Sequence, residues 1–124
     1  MTSSNINITG WKTREEVLKT LNENDIFILT SLWEGLPISL LEAMYMEKLC
    51  IVSDCIGNRD VIKNGENGFI AKDLNENIKI INNLVFEKKN NEKILKNSKN
   101  DIKNRFNIEN MVKKYSNTYN ERRI

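Results

Sequence analysis

The run Ser31-Leu-Trp-Glu-Gly-Leu-Pro-Ile-Ser-Leu-Leu-Glu-Ala-Met44 constrains this chain more than any other segment. It follows an apolar stretch, Ile26-Phe27-Ile28-Leu29, that reads as a buried strand. The residues from Pro37 to about Glu47 read as a helix, with Leu40, Leu41 and Met44 facing a sheet and Ala43 permitting close approach. Pro37 suits a first helical position, where its missing N–H has no intrahelical partner to lose. A second apolar stretch, Leu49-Cys50-Ile51-Val52-Ser53, comes after a short bend, so strand, helix and strand make a parallel crossover. Ligands of such sheets bind beyond the carboxyl ends of the strands, and residues 31–39 and 53–58 both fall there.

Two carboxylates lie in this element, Glu34 in the turn and Glu42 in the second turn of the helix. With 12 Glu in the chain, a pair at this separation arises about once by chance. Glu15 and Glu23 share the spacing and read as solvated positions near the ends of a helix. The surrounding strand, turn and crossover give the first pair its meaning. Backbone N–H groups at a helix start favour anions such as phosphate. A carboxylate beside them accepts hydrogen bonds from neighbouring sugar hydroxyls. Phosphate with sugar points to a nucleotide-sugar.

With these pieces in place, residues 25–73 resemble the C-terminal domain of GT-B glycosyltransferases of the family-4 type. The resemblance rests on the E-x(7)-E element Glu34 to Glu42 with its Glu-Ala-Met continuation and on the strand Leu49-Cys50-Ile51-Val52-Ser53. A turn Gly57-Asn58-Arg59-Asp60-Val61-Ile62 and a hairpin-like return Asn64-Gly65-Glu66-Asn67-Gly68-Phe69-Ile70 complete it. The implied fold is α/β: a Rossmann-like three-layer αβα unit with a short, mostly parallel sheet, corresponding to the later part of a GT-B C-terminal domain. Residues 1–86 would form a partial nucleotide-sugar-binding domain, and 87–124 would add helices packed on it.

The resemblance also implies roles. Glu34 would contact the donor hexose near the reacting carbon, as the catalytic acid of the turn, and Glu42 would bind the ribose hydroxyls. Gly35 and Leu36 would shape the sugar pocket, and the N–H groups of Ile38 and Ser39 would meet the diphosphate. Pro37 stands where many relatives have Gly and cannot donate a hydrogen bond. The implied reaction moves a hexose with retention from a nucleotide-diphosphate sugar, UDP- or GDP-linked, to an acceptor hydroxyl, with no further cofactor. Preorganised donors stabilise the charge on the leaving diphosphate, which needs no catalytic His. The alternative is a non-catalytic nucleotide-sugar-binding or regulatory module. The family's acceptor-binding first domain and the basic residues that clamp the diphosphate are not among these residues, so the chain alone is expected to bind donor weakly and not to turn over. The opening strands of the family's second domain are not among these residues either, and the unpaired strand edge this leaves invites homo-oligomerisation.

Composition narrows the surroundings. The sequence has no His and two Cys, Cys50 in a strand and Cys55 just past it, which leaves no ligand set for structural zinc and suits a reducing compartment. No apolar run has signal-peptide or transmembrane length, so a cytoplasmic protein is expected. Residues 87–124 carry 11 basic and 5 acidic side chains, against 8 and 12 in 1–86. Such a basic tail favours peripheral contact with an anionic membrane face, or reads as a solvated helical surface. No aromatic residue interleaves its Lys run at 88–103, which argues against nucleic acid.

Around this centre, Ile6-Asn7-Ile8 alternates like a short strand. Thr13 and Glu16 form a capping-box pattern that opens a helix through about Leu21, with Val17, Leu18 and Leu21 as its buried stripe. Trp11 and Trp33 read as core or rim residues, and Arg59 as a surface residue of a turn, the alternative being a contact to the diphosphate. From Leu74 onward the chain reads as helical: first Ile78, Ile81, Leu84 and Val85, then Ile94, Leu95 and Ile102. A last helix opens at Asn107 and carries Met111, Val112, Tyr115 and Tyr119 on one face.

Overall fold

A computed structural model describes residues 5–86 and 91–106; the expected helix from Asn107 lies outside them. The two apolar stretches form strands with the bounds read from sequence. Ile26–Leu29 (β1) and Leu49–Ser53 (β2) pair in parallel, Ile26 opposite Leu49 and Leu29 opposite Val52. Phe69–Ala71 (β3) adds on the other side of β2, also parallel, with Ile51 opposite Phe69. The sheet order is β1-β2-β3.

The period-2 pleat of the strands sends alternate side chains to opposite faces, and each face builds its own core. On one face Phe27, Leu29, Cys50, Val52 and Ile70 meet Leu40, Leu41, Ala43 and Met44 of the helix Ile38–Tyr45 (α2). On the other, Ile26, Leu49, Ile51, Phe69 and Ala71 meet Ile80, Ile81 and Leu84 of Leu74–Phe86 (α4). Helix Asn91–Arg105 (α5) serves both, with Ile94 in the second core and Ile102 in the first. The result is a small αβα sandwich. Ile28 points to the second face as well but stays 44% exposed.

Helix α2 has no side-chain cap at its start. Pro37 sits at the cap itself, one residue earlier than expected. Its four apolar core residues are fully buried, each large one stabilising the fold by about 1.5–3 kcal/mol relative to exposure. The helix ends where Glu47 adopts φ 61° and the Lys48 N–H donates back to the Ala43 carbonyl at 3.0 Å, a left-handed stop usually given to Gly.

Helix Arg14–Asn22 (α1) starts at Thr13 with both halves of the capping box formed, as the pattern predicts. Its expected apolar stripe is a different matter. α1 has no buried residue, Val17 is exposed, and only Leu21 reaches the first core. The helix runs along the margin of the domain, so its apolar residues have little to pack on.

Four other expectations need correction. Residues 6–10 form no strand, and Ile6 and Ile8 are exposed; alternation without a neighbouring strand makes no ladder. Residues Ile56–Val61 form a short helix (α3) where a turn was read. The segment before β3 is not a hairpin return: the Gly65 N–H donates to the Gly68 carbonyl at 2.8 Å, closing a local loop before the chain joins β2 in parallel. In α4 only Leu84 of the expected stripe is buried, while Ile78 and Val85 remain about half exposed.

Candidate functional site

Parallel pairing puts the carboxyl ends of β1 and β2 on one edge, and the chain after each strand forms one wall of the site there. After β1 comes the turn 30–37, leading into α2; after β2 come Asp54, Cys55 and α3. The two walls are tied together. The Ser53 hydroxyl donates to the Ser31 carbonyl, and Asn58, fully buried, donates from Nδ2 to the Ser53 carbonyl at 3.0 Å. Gly57 lies so close to the turn that a Cβ would collide with the Glu34 and Gly35 carbonyl oxygens. Only glycine fits between these backbones.

The turn acid is held from its own side. The Ser31 hydroxyl donates to Glu34 Oε1 at 2.6 Å, at the short end of O–H···O distances. Gly35 and Leu36 follow at the surface, Leu36 half exposed. Pro37 is buried. The Ile38 N–H turns back onto the Leu36 carbonyl at 2.9 Å, and the N–H groups of Leu40 and Leu41 reach the Pro37 carbonyl at 3.1 and 3.2 Å. None of these bonds uses the N–H of Ser39, whose side chain is exposed.

Glu42 sits one turn further along α2, only 6% exposed among the apolar residues of the helix. A carboxylate so placed needs a cation. Arg14 supplies it, with Nη1 2.8 Å from Glu42 Oε1. No local pattern in the sequence marks Arg14 for this contact. Its signal lay in topology: α1 leads through a short loop into β1 and runs back along the sheet, so its first turn lies at the carboxyl edge of β1.

Three residues near the strand ends lie at the surface. Arg59 is exposed and pairs with Asp54, Nε to Oδ1 at 3.0 Å. Trp33 and Trp11 are 80% and 88% exposed, so neither is a core residue. Burial pushes the Cys50 thiol up to about 12, which removes it as a nucleophile at neutral pH. Among the described residues no group of three or more acidic, Cys or His side chains could hold a metal ion, and no helix is long and apolar enough to cross a membrane. A cavity of ≈ 780 Å³ opens between residues 63–69, α4 and α5, lined by none of the candidate residues and lying at the amino end of β3, the opposite edge of the sheet.

A parallel αβα unit of this kind, with two partnered acids at the carboxyl edge of its strands, is a Rossmann-like module. The chain belongs to the family described as glycosyl transferases group 1, whose sequence profile matches residues 1–111. It is 39% identical over 116 residues to the UDP-Gal:alpha-D-GlcNAc-diphosphoundecaprenol alpha-1,3-galactosyltransferase of Escherichia coli, covering 90% of this chain and 29% of that protein. It is 44% identical over 62 residues to the lipopolysaccharide 1,6-galactosyltransferase of Salmonella typhimurium, covering 48% of this chain and 17% of that one. The chain thus spans under a third of the curated relatives it matches. The crystal structure of HepE from Anabaena, in complex with UDP and glucose, superposes with a TM-score of 0.72 at 21% identity, over 87% of this chain and 30% of that one. The shared fold is the GT-B Rossmann-like domain.

Proposed function

We propose that these residues are the donor-binding part of a retaining glycosyltransferase that moves a hexose from a nucleotide-diphosphate sugar to an acceptor hydroxyl. One observation carries the reading. Glu34 and Glu42, separated by the start of α2 at the carboxyl edge of the sheet, are each held by a partner of their own. Glu34 meets the hexose near its reacting carbon, and Glu42 accepts from the ribose hydroxyls. Gly35, Leu36 and Pro37 form the wall beside the sugar. The diphosphate lies at the start of α2, where the Ser39 N–H has no backbone partner among the described residues and the Ile38 N–H is shared with the Leu36 carbonyl. As the anomeric C–O bond breaks, its electron pair leaves with the diphosphate, and these N–H groups with the helix dipole stabilise the added charge.

The galactosyl transfer from UDP-Gal named for the Escherichia coli relative and the ligands of the Anabaena structure favour a UDP-linked hexose. The acceptor site belongs to a domain these residues do not include, so the chain by itself binds donor and does not turn over. Titration of the amide NMR spectrum with UDP- and GDP-sugars tests the reading. Shifts at residues 31–42 that weaken on Glu34→Gln with a UDP-hexose, but not with UDP, support it. A spectrum unmoved by any nucleotide-sugar would sink it.

A second reading, a binding module without chemistry, draws on the small share of its relatives that the chain spans. Joining the chain to an acceptor domain of a relative separates the two: transfer supports the enzyme, and donor binding without transfer supports the module. Two partner proposals stand beside them. The outer edge of β1, next to the exposed Ile28, pairs with a second copy; a sharp monomer in light scattering refutes this. The basic residues of 87–124 favour peripheral contact at the inner membrane face in a cytoplasmic setting; vesicle binding that ignores anionic lipid content refutes that.

A further inference from the structure

We propose that Arg14 is a positioning residue for nucleoside recognition, fixing Glu42 so that its second oxygen is presented to the ribose hydroxyls. The inference rests on the donor-site reading of Glu42 given above. Arg14 is poorly placed for its own helix. It is the first residue of α1, where the helix dipole disfavours a cation. The start of α1 is already satisfied without it by Thr13 and Glu16, which exchange hydrogen bonds as a complete capping box. A residue that breaks the local rule at a helix start is retained for something outside the helix.

The side chain reaches across to α2, where its Nη1 lies 2.8 Å from Glu42 Oε1. The pair sits at the border between core and solvent, with the Arg14 side chain 28% exposed and that of Glu42 7%. A ligand at the carboxyl edge can therefore reach the carboxylate, while the apolar residues around it restrict its rotation. Oε1 is the oxygen that the guanidinium engages, 2.8 Å from Nη1. A carboxylate clamped at one oxygen by a planar fork has the lone pairs of the other fixed in direction. Two vicinal hydroxyls are the matching donor set, and a ribose supplies them.

The test is calorimetric titration of this chain with UDP and with 2′,3′-dideoxy-UDP, which lacks both hydroxyls. The wild-type chain is expected to favour UDP by about tenfold or more, the loss of a hydrogen bond to a charged group. Arg14→Gln should bring the ratio close to one by weakening UDP and leaving the dideoxy compound unchanged; a purely structural role would weaken both alike. Glu42→Gln should lose the same preference. If Glu42→Gln removes the preference and Arg14→Gln keeps it, the role of Arg14 is overturned and the site reading stands. If Glu42→Gln keeps it, or the wild-type chain binds neither compound, the ribose role of Glu42 fails and the inference falls with it. Should Arg14→Gln not fold, Arg14→Lys decides, because it keeps the charge and loses the fork: a preference lowered about two- to fivefold supports the proposal, and an unchanged one overturns it.

Discussion

Helices α1 and α2 are nearly the same length, nine residues and eight, and are held in opposite ways. α1 has most of what favours an isolated helix: a full capping box, acids in its first turn and a lysine in its last. It buries no residue. α2 has no side-chain cap, no acid in its first turn and no base in its last, and it ends on a glutamate in a left-handed conformation. Yet Leu40, Leu41, Ala43 and Met44 are entirely buried. Local chemistry holds one helix and the core holds the other. The candidate site lies where they meet, since Arg14 comes from the first and Glu42 from the second.

The sharpest way to break this contrast is Leu41→Ala. Truncating a fully buried leucine costs about 2–5 kcal/mol, a large part of the stability of a domain this small. Urea unfolding followed by circular dichroism should show global loss, and a change below 1 kcal/mol would mean that α2 is not the keystone. Next is Gly57→Ala, which forces a methyl group against the Glu34 and Gly35 carbonyls. Overpacking of this kind costs about 1–3 kcal/mol, and amide shifts should concentrate in the 31–36 turn. Shifts confined to α3 would separate the two walls of the site.

Thr13→Ala removes one cap and should cost about 1 kcal/mol. Hydrogen exchange should rise within α1 while β2 and α2 stay protected. The smallest effect is that of pH. The side-chain hydrogen bond with Thr13, then its backbone N–H, hold the Glu16 carboxyl below its ordinary 4.5. A carboxylate lowered by folding stabilises the fold above its unfolded value, and that contribution is lost as pH falls through the folded value. Protection of the first turn of α1 should therefore fade in acid below about pH 4.5, with the rest of the fold unmoved. Glu16→Gln should flatten that dependence, because an amide oxygen also accepts the cap N–H.

The same contrast explains what was legible in the sequence. β1 and β2 could be read to the residue because short apolar runs bounded by polar residues have few other places to go. The capping box of α1 was legible because all of its partners lie within four residues of one another. Structure that depends on distant partners was not. Ile6 and Ile8 alternate like a strand but have no strand beside them among the described residues. Gly57-Asn58 looks like a turn, and becomes a helix because Asn58 anchors to Ser53 and Gly57 nests under the 34–35 backbone. The positions of Glu34 and Glu42 at the strand edge followed from the pattern, whereas Ser31 and Arg14 as their holders did not. Arg14 reaches Glu42 across 28 positions of sequence, and no short motif reports such a contact.

Helix α5 gives the fold an order in time. Its Ile94 closes one core and its Ile102 the other. A chain leaving the ribosome amino end first presents all three strands and α2 long before either residue emerges. Until then both apolar faces of the nascent sheet are incompletely covered, the state in which chaperones and neighbouring chains compete for such surfaces. When α5 arrives, a single element seals the two sides, so the last helix described acts as the fastener of the domain.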